Sequence, residues 1–472
     1  MTDLFDLEAL RRRLDAAPEA ARLERLGLQT VVLGDDALAS LPQLVADLVG
    51  ARRAEGPVAI LSDLTPKLYR SVDLLDYVTA TLAGRSGVRS VAVGTPGHPV
   101  HADEETVAKA TRDCEGAACL VAVGSGTVAD IGKVVAAAHG TAYVVVQTAN
   151  SVNGFADDRS VLLVNGVKRT TPTTWADALV IDTDVLASAP VAMNVSGFAD
   201  LTATFTAPAD WYLATLLGMD DTYSPTAVAL AREQGPAVLA AASHVPDADR
   251  AALAQVAATL TLSGISMGIA GTTAPCSGME HTVGHLIEMA AMQDGREAPL
   301  HGAQVGASSI VAALLWQRVL DELADGRLSH VLVPDAAEAE AGVRAAFLSV
   351  DPSGWMGEEC WRDYSRKLAR WAGAGRRIEL AARDWPVHDR VVRDLLAGPQ
   401  TLVAALRAAG APVLFSEVEP PAGEATARWA TASCHLMRER FSVADMACFL
   451  GIWDAACVDA LLSDAAALGG AT

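Results

Sequence analysis

The sequence predicts a two-part protein: an open, parallel α/β sheet domain over residues 1–189, followed by an all-helical domain over residues 190–472. Three observations predict it. Between Val58 and Val180, short β-branched runs (VAILS, SVAVG, CLVAVGSG, AYVVVQT and ALVIDT) alternate with amphipathic stretches, the pattern of parallel strands joined by helices. After about Pro190 strand-like runs nearly vanish, and Ala/Leu/Glu/Arg-rich segments with helical apolar spacing continue through Asp464. Finally, a chain of 472 residues exceeds one ordinary hydrophobic core, so surface-to-volume scaling favours two domains.

Taken in order, the first 30 residues read as a helical extension leading into a first strand at Thr30-Val31-Val32-Leu33. The β-branched runs follow, and ligands of such sheets sit beyond the carboxyl ends of the strands. One end carries Gly124-Ser125-Gly126-Thr127, directly after the apolar run Leu120-Val121-Ala122-Val123 and before helix formers that continue through Lys133. Glycines there let backbone amides approach a diphosphate, and a helix N-terminus adds partial positive charge. The stretch is neither GxGxxG nor GxxxxGK[ST], so taken singly it also fits a tight turn that binds nothing. Its neighbour, Gln147-Thr148-Ala149-Asn150-Ser151-Val152-Asn153-Gly154, gathers hydroxyls and amides at the next strand end, where the same ligand could be held. In the second half, Leu332 to Glu379 reads as helical and Val413 to Gly423, with two adjacent prolines, as a loop.

Composition narrows the partners. A formal charge of −21 argues against a nucleic-acid backbone, which binds through Lys and Arg. Hydrophobic residues make up 51%, yet no run of eighteen apolar residues free of charge appears, so no membrane partner is expected. Met1 to Arg13 carries Asp3, Asp6 and Glu8 and lacks the basic-then-apolar order of a secretory leader, which makes the cytoplasm the expected compartment. The seven cysteines (Cys114, Cys119, Cys276, Cys360, Cys434, Cys448 and Cys457) form no CxxC pair and suit reduced thiols.

The chemistry-bearing pattern lies in the middle of the chain: Gly197-Phe198-Ala199-Asp200, then Glu280-His281-Thr282-Val283-Gly284-His285, then Leu300-His301-Gly302. A carboxylate and two or three imidazoles suit a divalent ion that must leave a coordination position open. Helical spacing puts His281 and His285 on one face, one turn apart. A zincin helix would need Glu directly after the first His, and Thr282 stands there instead. Asp200, among apolar neighbours, would be costly to bury without a cation.

The blocks GSGTVADIGK, QTANSVNGFAD, VNGVKRTTPTTWADALVIDTDVLASAP, SGFADLTATFTAPADW, SGMEHTVGHL and LHGAQVG follow one another in an order that resembles the sn-glycerol-1-phosphate dehydrogenases. Those enzymes belong to the superfamily of iron-containing alcohol dehydrogenases, glycerol dehydrogenases and dehydroquinate synthases. The resemblance spans roughly residues 55 to 310, and more loosely the C-terminal helices through Arg438-Glu439-Arg440-Phe441. It implies a Rossmann-like first domain, a helical second domain of the dehydroquinate synthase-like kind, an active site in the cleft between them, NAD(P)H, and one divalent ion, zinc first, with nickel or iron as alternatives. Carried over by motif, Asp200, His281 and His301 match the metal ligands. Gly124, Ser125, Gly126 and Thr127 match the pyrophosphate loop, with Asp130 on its helix; Thr148 and Ser151 match cofactor contacts. Asp63 resembles the carboxylate that holds the adenosine ribose, and its charge tilts the expectation toward NAD over NADP. His285 is the implied residue for orienting substrate or relaying a proton, and equally fits a structural histidine beside the ligands. Lys168 is a point charge for a substrate phosphate, or an exposed loop lysine.

Three departures cluster around that implied site. Asn153 stands where the family usually has Asp, and cannot act as a base. Asp157 replaces a small Ser and adds negative charge near the cofactor, while Thr204 replaces Asn or Lys and removes a phosphate donor. The expected activity is therefore interconversion of a small, phosphorylated ketone and its alcohol, with a divergent paralogue acting on another ketone as the alternative. A sugar-phosphate cyclase ranks lower because its GGKTG stretch is missing, and a non-catalytic dinucleotide sensor remains a third class. The small-molecule substrate is the principal partner, and the apolar helical half suits a homodimer as well as internal packing.

Overall fold

The computed structural model describes residues 5–84, 87–98, 100–164 and 167–470. Asn165 and Gly166 of the VNGVKRTT stretch, and Asp3 of the N-terminal extension, lie outside the described residues. The strands are β1 (Thr30–Gly34), β2 (Val58–Asp63), β3 (Leu68–Tyr69), β4 (Val72–Asp73), β5 (Val88–Val93), β6 (Cys119–Gly124), β7 (Ala142–Gln147), β8 (Arg159–Val164), β9 (Val167–Pro172) and β10 (Ala178–Asp182). Six of them form one parallel sheet in the order β1-β10-β7-β6-β2-β5. Each of the six had been legible as an apolar run. Among the described residues no strand follows Asp182, and the rest of the chain is helical.

The sheet explains its own composition. Val58, Ile60, Cys119, Val121, Val123, Val144, Val146 and Val180 share one buried face with Leu41, Val45, Leu74 and Val78 of the flanking helices. Their alternate neighbours, Ala59, Leu61, Leu120, Ala122, Tyr143, Val145 and Leu179, are buried as well. A strand covered on both faces needs an unbroken apolar run, and these runs have that form. Two antiparallel hairpins, β3–β4 and β8–β9, were not read from the sequence. The second carries Lys168 opposite Leu163, inside what reads as a loop.

Contacts divide the chain into two compact units: Met1–Phe198 with Thr226–Thr272, and Ala199–Pro225 with Thr273–Thr472. This division differs from a single boundary at residue 190, because the helix Arg250–Ala270 packs into the first unit. Asn150 Nδ2 donates to the carbonyl of Leu253 at 3.0 Å, and the ring of Trp175 fills the space where Gly27 and Gly268 lack a Cβ. This helix is long and apolar enough to cross a membrane, but 94% of its apolar window is buried inside the protein, as in a core helix. The N-terminal extension is helical over Leu7–Asp15, and Arg11 fastens it to the carbonyl of Leu28 at 2.6 Å.

In the second unit the helices Met279–Gln293 and His301–Ala324 are buried over most of their length. Asp200 is held beside them. Gly306 lacks a Cβ where one would lie 3.0 Å from Ala199 Cβ, and Thr202 Oγ1 donates to Ser309 Oγ at 3.0 Å.

Candidate functional site

Asp200, His281 and His301 come together in the second unit, each offering a ligand atom within 4.8 Å of the others. His281 Nε2 lies 3.3 Å from Asp200 Oδ1, and His301 Nε2 lies 3.9 Å from it. Two ligands on a tetrahedral ion with bonds of about 2.05 Å would be about 3.4 Å apart. The spacing therefore fits a small divalent ion.

The chemistry of the donors fits too. His281 Nδ1 is 3.0 Å from Glu280 Oε1, and His301 Nδ1 is 3.1 Å from Glu288 Oε1. A carboxylate only accepts, so each imidazole donates from Nδ1, which leaves Nε2 as the atom turned toward Asp200 and available to an ion. Glu280 is in turn fixed: Thr206 Oγ1 donates to its Oε2 at 2.9 Å and the Gly278 amide donates to its Oε1 at 2.5 Å. The helix start itself is pinned, since Asp210 accepts from the Met279 and Val443 amides at 2.9 and 3.0 Å and from Trp316 Nε1 at 3.0 Å. Burial pushes the His281 imidazole down, but its bonds to Asp200 and Glu280 outweigh that, and its pKa rises to about 9.

His285 sits one turn along the same helix, its ring stacked on that of His301 at 5.1 Å. It forms no ligand group with Asp200; its Nδ1 lies 3.1 Å from Glu288 Oε2. Burial holds its pKa well below the ordinary value despite that bond, and the charge of Arg438 pushes the same way. Glu280, Glu288 and Arg438 were missed by sequence reasoning. The signal for the first two was present, since Glu280 adjoins His281 and Glu288 stands three residues after His285.

The first unit carries the dinucleotide candidates. Gly124 ends β6, opposite Gln147 of β7, and the helix Gly126–His139 follows at once. Ser151 Oγ accepts from the Gly126 amide at 3.4 Å and the Thr148 amide donates to the Gly124 carbonyl at 3.1 Å, so the two polar strand ends adjoin. Ser125 and Thr127 are partly exposed while both glycines are buried. The close fit has a cause: Gly132 lacks a Cβ where one would lie 2.5 Å from Tyr143 Oη, and that hydroxyl donates to the Ala129 carbonyl at 2.8 Å.

Other residues named for the site have different neighbours from those expected. Asp63 is ion-paired with Lys67 and accepts from Thr65 Oγ1 at 3.2 Å, so its charge is offset. Asp157 does not add bare charge: it pairs with fully buried Lys133, whose Nζ also donates to the carbonyls of Gly154 and Arg159 at 2.5 and 2.6 Å. Burial raises the Asp157 carboxyl despite that pair. Asp130 accepts from the Val161 amide at 3.2 Å, facing the β8–β9 hairpin, and burial lifts its pKa to about 7. The charge of Lys168 acts on Asp130. Asn153 is buried, and its carbonyl lies where a Cβ on Gly264 would approach to 2.6 Å. Thr204 Oγ1 donates to the Leu201 carbonyl at 2.7 Å and offers nothing outward.

The sequence pattern of the iron-containing alcohol dehydrogenases matches residues 32–190. The chain is 31% identical over 302 residues to the glycerol-1-phosphate dehydrogenase [NAD(P)+] of Bacillus licheniformis, covering 63% of this chain and 69% of that one. The chain belongs to the glycerol-1-phosphate dehydrogenase family. The glycerol-1-phosphate dehydrogenase [NAD(P)+] of Methanothermobacter thermautotrophicus is 28% identical over 282 residues, covering 58% of this chain and 76% of that one. Among solved structures, a probable glycerol dehydrogenase from Sinorhizobium meliloti superposes with a TM-score of 0.56 at 15% identity, covering 95% of this chain and 100% of that one. An iron-containing alcohol dehydrogenase from Corynebacterium glutamicum gives 0.55 at 16%, covering 95% and 98%. These two establish the fold. Family membership makes the protein an oxidoreductase.

Proposed function

We propose that this protein reduces dihydroxyacetone phosphate to sn-glycerol 1-phosphate with NAD(P)H, and catalyses the reverse oxidation, using one divalent ion held by Asp200, His281 and His301. The observation that carries the reading is the convergence of two imidazole Nε2 atoms on a buried carboxylate, each imidazole tethered from behind by its own carboxylate. When bound, the ion would polarise the substrate oxygen as a Lewis acid and the nicotinamide would exchange hydride.

The residues of the chain do the rest. Glu280 and Glu288 hold His281 and His301 in the tautomer a ligand needs. His285, neutral at physiological pH, accepts a hydrogen bond at Nε2 from the substrate hydroxyl and takes its proton in the oxidising direction. Asn153 orients by hydrogen bonding only. Arg438 is the cation we assign to the substrate phosphate, because its charge acts on His285, whereas that of Lys168 acts on Asp130 of the dinucleotide loop's helix. Gly124, Ser125, Gly126 and Thr127 cradle the pyrophosphate, with Thr148 and Ser151 beside them. Asp130 and Asp157 hold that loop's helix and the following segment rather than the cofactor itself. Asp63 faces the adenosine ribose, and Lys67 beside it supports acceptance of both NAD and NADP. Zinc suits the donor set, with nickel or iron as alternatives. The free cysteines support a reducing, cytoplasmic setting. Exposed Leu68 and Val72 on the β3–β4 hairpin support a homodimer.

One observation favours a second reading. The Thr204 hydroxyl is committed to a backbone carbonyl, so a phosphate donor common in the family is absent, which suits a paralogue acting on another ketone. The experiment is NADH and NADPH oxidation by zinc-loaded protein offered dihydroxyacetone phosphate, dihydroxyacetone and a panel of ketoses, with Asp200→Ala as control. Turnover of dihydroxyacetone phosphate that disappears in the control supports the first reading; turnover confined to another ketone supports the second.

A further inference from the structure

Glu288, which stands behind His301, also reaches a second imidazole that is not one of the three ligands, His285. It is 4% exposed, and both its oxygens are used: Oε2 lies 3.1 Å from His285 Nδ1 and Oε1 lies 3.1 Å from His301 Nδ1. The two rings it joins stack at 25° with centroids 5.1 Å apart. A single ionised carboxylate has acceptor capacity for both N–H groups and no hydrogen to give. Both imidazoles are therefore locked with hydrogen on Nδ1 and a lone pair on Nε2. His301 directs that lone pair to the Asp200 side, whereas His285 forms no ligand group with Asp200 and keeps its own for another use.

We infer that Glu288 is a shared positioning residue: one carboxylate sets the tautomer of a metal ligand, His301, and of the proton-handling residue, His285. The inference rests on the reading of Asp200, His281 and His301 as the metal set. Its consequence is that metal affinity and proton handling are linked through one side chain and can be separated by the choice of substitution. Ala at this position removes both tethers. Zinc takes the Nε2 lone pair of His301 and so keeps hydrogen on its Nδ1; in the zinc-loaded protein Gln therefore turns its carbonyl to His301 and its N–H group to His285, whose hydrogen must then move to Nε2, where the substrate hydroxyl needs a lone pair.

The test uses full-length protein and zinc itself, with affinity measured by competition against a chromophoric chelator and turnover measured separately. Glu288→Ala is expected to weaken zinc by about 10- to 100-fold, the usual effect of losing a partner behind a metal-bound histidine. Glu288→Gln is expected to keep zinc within about tenfold while its turnover falls as far as that of His285→Ala, and the double variant Glu288→Gln/His285→Ala is expected to lose nothing further. Zinc binding by Glu288→Ala within about threefold of the parent, or parental turnover in Glu288→Gln, would overturn the inference. Should near-ultraviolet circular dichroism show that Glu288→Ala does not fold, the Gln and double variants decide alone. Asp200→Ala, run alongside, is expected to abolish zinc binding; retention there defeats the metal reading itself, a failure distinct from that of Glu288.

Discussion

Replacing Lys133 by Met removes a charge that is 0% exposed and leaves the carboxylate of Asp157, itself 3% exposed, without its ion pair. Two backbone carbonyls, Gly154 and Arg159, lose their donor in the same step. Breaking a buried pair from one side costs about 3–5 kcal/mol, because an uncompensated charge stays behind. In a unit of this size each kcal/mol lowers the melting temperature by about 2–4 °C, so a loss on the order of 10 °C is expected. The double variant Lys133→Met/Asp157→Leu removes both charges and should recover about 2 kcal/mol or more, since a well-packed apolar pair can equal a buried ion pair. Unfolding would be followed by circular dichroism against temperature and urea, and NADH binding by fluorescence. Affinity for NADH should fall in the single variant and return in the double, because Lys133 joins the helix that starts at Gly126 to the segment after Asn153. A Lys133→Met variant that melts within about 3 °C of the parent, or a double variant no more stable than Lys133→Met, would refute this reasoning.

Other outcomes follow from the same geometry. Since His281 titrates near pH 9 in the metal-free protein, zinc must displace one proton there, and apparent zinc affinity should rise about tenfold per pH unit from 7 to 9; a plateau already at pH 7.5 would contradict it. The sign for stability is opposite: the raised pKa contributes stability to the metal-free protein in full below about pH 6.5, and that stability is lost as pH rises through 9, so its melting temperature should fall over that window. Lys67→Ala uncovers the charge of Asp63 and should shift preference from NADPH toward NADH by about fivefold or more, taking about 1 kcal/mol for two charges 4 Å apart in water; unchanged kcat/KM ratios would count against Asp63 facing the ribose.

Much of this protein is legible in its sequence. The sheet was visible because a parallel sheet covered on both faces demands unbroken β-branched runs, and Ala142–Gln147 has that form. The grouping of Asp200 with His281 and His301 was legible because a buried aspartate and spaced histidines have few inexpensive explanations. What escaped reading were relations set only by tertiary folding. Lys133 and Asp157 are 24 residues apart and nothing local pairs them, so Asp157 looked like added charge. Asp63 and Lys67 do stand four residues apart, yet the strand end gave no helix on which that spacing would signal contact. Arg438 lies far along the chain from His285, and only packing brings its charge near. The helix Arg250–Ala270 reads as part of the helical half because periodicity reports a helix's faces and not the unit those faces join.

The measurement closest to the central claim is NADH oxidation with dihydroxyacetone phosphate by protein stripped with chelator and then titrated with zinc, in the parent and in Asp200→Ala. The account predicts no turnover when stripped, full recovery at one equivalent of zinc in the parent, and none in the variant at any zinc concentration. Turnover that survives stripping, or that zinc restores equally in Asp200→Ala, would contradict it.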